Sequence, residues 1–327
     1  MLVSFFGHRS FSFRRSGTAD EVTTDAAQDT APLGSTAVTD SAGQKHPRVS
    51  VVIPAYNNGE YIEATVESVL AQTYDDFEVV IADHSSVDGT WEKLQRFASD
   101  PRVRILRTDA GGGARRNWDR VSQAARGELV KVVCGDDLIY PRMLERQVAA
   151  LDAAGPETVI VASARDLIDG RGKVFLRARG LSGLSGPVDG RTALRTIVRS
   201  GTNPLGEPAC VLMRRAVLED AGWWDDTFPY YIDAGTYAHL LVRGNLVALP
   251  EPLAAFRVSA SQWSVRLARE QATQAAGFHD RARSMAPESV SASDVRIGNL
   301  RARIAASKRR LAYVWLGRRM HAETAAG

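Results

Sequence analysis

Four short β-branched runs set most of what this chain can become. They are VSVVIP from Val49, FEVVIAD from Phe77, VRILRT from Val103 and ELVKVVCGDD from Glu128. Apolar residues at consecutive rather than alternating positions mark strands covered on both faces. Between them lie stretches of helical period. Ile62, Val66, Val69 and Leu70 recur at spacings of three and four, which predicts a helix over Glu60–Gln72. A second helix starts near Asp88, and a third runs through ARRNWDRVSQAARG from Ala114. Strand and helix alternating through short loops predict an α/β fold: an open, mostly parallel sheet flanked by helices. Ligands of such sheets bind beyond the carboxyl ends of the strands. Those ends are Pro54-Ala55-Tyr56, Asp83-His84 and Gly135-Asp136-Asp137.

The second half is less regular. A helix is expected over Pro141–Ala154, then a hairpin-like pair from Thr158 and Val174, and a helix over Thr192–Ser200. A strand around Cys210–Met213 precedes a short helix. IDAGTYAHLLVRG reads as a helix with Tyr237, Leu240 and Leu241 inward, and LVALPEPLAAFRVS as a final strand pair.

With 44 % hydrophobic and 24 % charged residues, the 327-residue chain has the balance of a soluble globular protein. It has no run of about 18 uninterrupted apolar residues, so no transmembrane helix is expected. Cys134 and Cys210 are too few for a disulfide framework or a cysteine-rich zinc site, which makes a cytoplasmic setting the default. The net charge of +3 does not point to nucleic acid. Its distribution is uneven: Ser264–Gly327 carries +7 and the remainder −4. Residues 1–47, with their Thr/Ala/Asp/Ser/Gly stretch, read as a disordered segment, 48–265 as the main domain and 266–327 as a basic helical extension.

Asp136 and Asp137 directly follow an apolar strand. Adjacent carboxylates repel unless a cation or donor-rich ligand lies between them, and oxygen ligands suit Mg²⁺ or Mn²⁺. The same GDD also suits a plain turn or helix cap. Asp83 fits a base or ribose contact, or an Asx turn. His84 beside it reads as a solvated turn residue. Gly111-Gly112-Gly113 before Arg115 and Arg116 is a phosphate cradle or a surface turn, without a dinucleotide or P-loop fingerprint.

Together these segments resemble the inverting family-two glycosyltransferases of the GT-A fold. The resemblance runs from about Arg48 to Val265. It is carried by VIPAYNNGEYIEATVESVLAQTY, by GGGARRNWDRVSQAARGELVKVVCGDD, and by GEPACVLMRR, AGWWDD and YYIDAGTYAHLLVRG. It implies that Pro54, Ala55 and Tyr56 line the nucleoside pocket of a UDP- or GDP-linked sugar donor, with Asp83 bonding the base and Arg116 near the ribose-diphosphate. Asp137 would hold the Mn²⁺ or Mg²⁺ ion and Asp136 a ribose or sugar hydroxyl. Asp233 would be the catalytic base, and Glu207 would stand beside the donor sugar and the acceptor. The acceptor would be a glycan, polysaccharide or lipid-linked hydroxyl. Three positions depart from the family pattern: Ile232 for a common Glu, Gly135 for a third acid, and Ser259 where many relatives carry a His.

Trp223, Trp224, Tyr230, Tyr231 and Trp263 suit sugar faces or the packing of the second half. Leu300, Ile304, Leu311, Val314 and Trp315 share one helix face among eight Lys/Arg of Arg296–Arg319. That stripe fits either an anionic membrane surface or the catalytic domain. Two other functions stay open. A nucleotidyltransferase needs a basic Gly-rich loop after the first strand, where this chain has Tyr56-Asn57-Asn58-Gly59. A catalytically inactive scaffold on the same fold is the other.

Overall fold

A computed structural model describes residues 46–259 and 270–316. Nearly all of segment 1–47 lies outside them, as do Trp263, Arg318, Arg319 and the side chains of Leu311, Val314 and Trp315. The chain runs β1 (Val49–Ala55), α1 (Ile62–Leu70), β2 (Phe77–Asp83), α2 (Thr90–Leu94), β3 (Val103–Arg107), α3 (Gly113–Gln123) and β4 (Leu129–Val132). It continues with β5 (Leu138–Ile139), α4 (Met143–Ala154), β6 (Thr158–Ile168), β7 (Val174–Arg179), β8 (Gly186–Val188), α5 (Gly190–Ser200), β9 (Val211–Arg214) and α6 (Arg215–Asp220). The last elements are α7 (Ile232–Leu241), β10 (Asn245–Arg257), α8 (Gln271–Met285) and α9 (Ala292–Leu316).

Among the described residues the strands form one sheet in the order β3-β2-β1-β4-β9-β6-β10-β5, with β7 on β6 and β8 on β10. The first four are parallel, β9 runs antiparallel between β4 and β6, and β6 and β10 are parallel again. Each of the first four runs becomes a strand; β1, β2 and β4 are buried, whereas β3, interrupted by Arg104 and lying at the sheet edge, is only partly buried. Ala55 and Asp83 are register partners, and Val133 N donates to Val52 O, so the three candidate strand ends lie side by side.

Two boundaries shift for physical reasons. α5 begins at Gly190, ahead of its apolar period, because the Asp189 carboxylate accepts from Thr192 N at 2.8 Å and caps the helix. The expected final strand pair is one strand, β10. Pro250 and Pro252 cannot donate to a ladder, and the register slips between Leu249 and Pro252 instead of breaking. The half before the slip pairs with β8 and the half after it with β5.

α8 and α9 belong to the same hydrophobic core as the sheet, through Phe278, Ala282, Val295 and Ala302. Asp294, buried at the start of α9, pairs with Arg195 and Arg199 of α5, and it exchanges hydrogen bonds with Ser291 as a capping box. α9 docks by small residues. A Cβ on Gly298 would lie 2.2 Å from the Val198 carbonyl oxygen, and Ala302 and Ala306 are buried. The larger apolar residues Leu300 and Ile304 face outward, 60 % and 47 % exposed. Among the described residues no helix is long and apolar enough to cross a membrane.

Candidate active site

A cleft of about 910 Å³ opens at the carboxyl ends of β1 and β4. Its walls bring together Pro54, Tyr56, Asp136, Asp137, Glu207 and Asp233, which are spread over 180 residues of sequence. Ala55, Asp83 and Arg116 lie outside that lining. Ala55 is buried in β1 behind Tyr56, and its carbonyl accepts from His84 N and from the Asn117 side chain. Asp83 is fully buried at the end of β2. Its Oδ2 accepts from Ser86 N at 3.3 Å, with Arg107 Nε 3.7 Å away, whereas Oδ1 has no hydrogen-bond partner among the described residues. A buried carboxylate oxygen without a donor is costly, and a ligand N–H or O–H would complete it.

His84 departs from the solvated turn residue expected. It is buried, with Nδ1 2.9 Å from Thr108 Oγ1. Arg116 folds back toward the Gly111 carbonyl, over Gly112. A Cβ on Gly112, whose φ is +80°, would lie 2.4 Å from Arg116 Cδ, so the triple glycine makes room for this arginine.

Asp137 is almost fully buried. Its Oδ1 accepts from Arg257 N at 3.1 Å, and its carbonyl accepts from Thr65 Oγ1. Burial, with Asp136 and Glu207 close by, raises its carboxyl well above the usual carboxylate range. A divalent cation would relieve that condition, and the all-oxygen donor set fits Mn²⁺ or Mg²⁺. Among the described residues no third His, Cys, Asp or Glu completes a metal cluster. Ser259 is buried.

Sequence reasoning missed Arg257. Its Nε donates to the Asp136 carbonyl, its Nη1 reaches the Asp169 and Gly170 carbonyls, and its guanidinium lies 4.5 Å over the Tyr61 ring. The signal was present as one arginine inside the apolar run AAFRV.

Asp233 opens the first turn of α7. Its Oδ1 accepts from Ala234 N at 2.7 Å and its Oδ2 from Asn203 Nδ2 at 2.8 Å. Burial raises its carboxyl to about 6, against both of those donors. A carboxylate poised there can accept a proton from a hydroxyl near neutral pH. Asn203 also holds the Gly206 carbonyl and accepts from Leu205 N, so it shapes the loop that carries Glu207. Glu207 is paired with Arg165 of β6, with Nε to Oε2 at 2.5 Å and Nη2 to Oε1 at 3.1 Å. The aromatic residues divide. Trp224 is buried, bonding Ser122 Oγ through Nε1, and Tyr231 stacks on Phe278 at 5.0 Å, while Tyr230 and Tyr231 also reach the cleft wall.

The mostly parallel sheet flanked by helices is of the GT-A type, with an acidic cleft at its strand ends. Residues 50–222 match Glycosyl transferase family 2, and the chain belongs to that family as a glycosyltransferase. It is 37 % identical over 109 residues to the glycosyltransferase GlyG of Streptococcus pneumoniae serotype 4, covering 32 % of this chain and 36 % of that protein. The fold is similar to that of S. aureus TarS in complex with UDP-GlcNAc (TM-score 0.61, 17 % identity, 83 % of this chain and 76 % of that one). It is also similar to the mannosyltransferase PcManGT of Pyrobaculum calidifontis in complex with GDP-Man and Mn²⁺ (TM-score 0.58, 19 % identity, 83 % and 76 %).

Proposed function

We propose that the protein is a metal-dependent inverting glycosyltransferase that moves a sugar from a UDP- or GDP-linked donor to a hydroxyl of a glycan, polysaccharide or lipid-linked acceptor. The carrying observation is Asp233, a carboxyl held near 6, facing the same cleft as the Asp136–Asp137 pair. Pro54 and Tyr56 form the nucleoside side, with Ala55 buried behind them as support, Asp83 Oδ1 offered to the base and Arg116 beside the diphosphate. Asp137 would hold a Mn²⁺ or Mg²⁺ ion, with Asp136 on the ribose or sugar. When bound, the ion would supply charge compensation on the departing diphosphate. Asp233 takes the acceptor proton as the hydroxyl attacks the anomeric carbon from the face opposite the leaving group. The chemistry needs no covalent enzyme intermediate. Complexes of TarS with UDP-GlcNAc and of PcManGT with GDP-Man and Mn²⁺ support this donor and ion class.

Asp233→Asn tests the assignment. Transfer should fall by about 10²–10⁴-fold, because the amide keeps the shape and cannot take a proton. Affinity for UDP or GDP with Mn²⁺ should persist, and EDTA should reduce it. Near wild-type turnover would move the base to Glu207, and unchanged nucleotide affinity after chelation would remove the ion.

We also place the protein in the cytoplasm, in peripheral contact with the inner face of the membrane through α9. The outward side of α9 carries Arg296, Leu300, Arg303, Ile304 and Lys308. Each basic residue near an anionic leaflet contributes about 1 kcal/mol. Co-sedimentation with anionic vesicles should be salt-sensitive and should drop in Leu300→Glu/Ile304→Glu. Equal sedimentation of that variant would remove the membrane contact.

A further inference from the structure

Three arginines from three elements line the cleft: Arg165 on β6, Arg179 at the end of β7 and Arg309 on α9. Arg165 is committed to Glu207. The other two have no carboxylate at ion-pair distance among the described residues. Arg309 Nε donates to Gln271 Oε1 at 2.8 Å, and its guanidinium lies 5.6 Å over the Tyr230 ring. Gln271 is 1 % exposed, and Gln274 Oε1, one turn on, accepts from Tyr230 N at 2.6 Å. α8 therefore fixes both the ring and the cation stacked on it. Only Nε of Arg309 is used, by a neutral amide, so its terminal nitrogens remain available as a planar pair of donors.

The charges in the cleft then sort by role. Asp137 would face the cation that accompanies the donor diphosphate, and Asp136 the donor ribose or sugar. Glu207 is matched by Arg165. Asp233, three residues after Tyr230, is held by the neutral Asn203. In the same cleft lining as Asp233, two guanidiniums are left without a carboxylate at ion-pair distance, one fixed from α9 and one exposed on β7. Arg309 also lies outside residues 50–222, so it belongs to this chain's own extension and not to the matched family region.

We propose that the acceptor carries an oxyanion, a phosphate ester or a carboxylate, which Arg309 and Arg179 bind while the acceptor hydroxyl meets Asp233. A guanidinium fork matches the two oxygens of either group. A neutral acceptor would leave both cations without a counter-charge, so the arrangement favours an anionic one. The assignment rests on the transferase reading above and narrows its acceptor class.

Calorimetry on the full chain tests it. The donor site is first saturated with UDP or GDP and Mg²⁺, then the protein is titrated with glycerol 1-phosphate, glucuronate and glycerol. The anions should bind and glycerol should not. Arg309→Gln should weaken anion binding by at least tenfold, Arg309→Lys by less, and Arg179→Gln should add to the loss. Binding of only glycerol 1-phosphate assigns a phosphate ester, and binding of only glucuronate assigns a carboxylate. The proposal is overturned if Arg309→Gln binds the anions as wild type does, or if glycerol binds equally well. It is also overturned if Arg309→Gln lowers nucleotide affinity by the same factor, since the arginine would then serve the donor diphosphate. The first saturation step separates the two levels: failure of wild type to bind either nucleotide overturns the transferase reading, and the acceptor role with it.

Discussion

The Asn203 side-chain amide donates to Asp233 Oδ2 across 2.8 Å, joining the loop before Glu207 to the first turn of α7. This bond favours the ionised carboxylate, while burial opposes ionisation and holds the carboxyl at about 6. Activity should therefore fall as pH drops through about 6, where Asp233 takes up a proton. Asn203→Ala removes a donor to the charged form, so the acid limb of kcat/KM should move to higher pH. A lower rate with an unmoved limb would mean that Asn203 only shapes the loop.

Arg165 and Glu207 face each other at 2.5 Å with 12 % and 25 % of their side chains exposed. Removing one partner strands the other charge. Arg165→Met is expected to cost about 3 kcal/mol, and Arg165→Met/Glu207→Leu should recover most of it, because the paired desolvation cost disappears with the pair. Urea denaturation of both variants checks this, and equal destabilisation by the double variant would show that Glu207 was not stranded.

Lys131 is fully buried in β4, with Nζ 3.0 Å from Gln147 Oε1 and 3.3 Å from the Val211 carbonyl. Burial lowers its ammonium from 10.5 to about 7. Below pH 7 both folded and unfolded states hold the proton, and the burial penalty is full. Between about 7 and 10.5 the unfolded state alone holds it, so stability climbs with pH, by up to about 1.4 kcal/mol per unit. Lys131→Met should remove that climb. The difference between the wild-type and variant Tm, measured across pH 6–10, reports it, and parallel profiles would contradict it.

Gly298 meets the Val198 carbonyl at a distance that leaves no room for a side chain. Backbone cannot yield as a side-chain tip can. Gly298→Val is expected to cost roughly 1–3 kcal/mol and to loosen α9 from α5. Arg309 rides on that helix, so hydrogen exchange in α9 should rise together with a loss of anion binding. Wild-type protection in the variant would show that the helices part without cost.

Much of this site was legible in the chain itself. Short β-branched apolar runs between helical segments fit buried parallel strands, and a parallel sheet built from them aligns its carboxyl ends, so Tyr56 and the Asp136–Asp137 pair face one opening. The acidic pair was recognisable because two adjacent carboxylates after an apolar strand demand a cation, a donor or a cap. Other contacts were not legible, because they depend on which distant segments meet. Arg257 holding Asp136, Asn203 holding Asp233, and Arg165 matching Glu207 join residues from 30 to 121 positions apart. No local period encodes such pairings. The C-terminal helix shows the difference most directly. Its sequence offers Leu300 and Ile304 as an apolar stripe for either a membrane or the domain, yet close helix packing is decided by how near two backbones can come, and Gly298, Ala302 and Ala306 permit the nearer approach. The larger residues are left outside, and Arg309 is brought to the cleft wall. The apolar pattern accounts for the first strands and for the acids that follow β4. The tertiary structure alone decided which groups hold those acids, and which cations share the cleft with them.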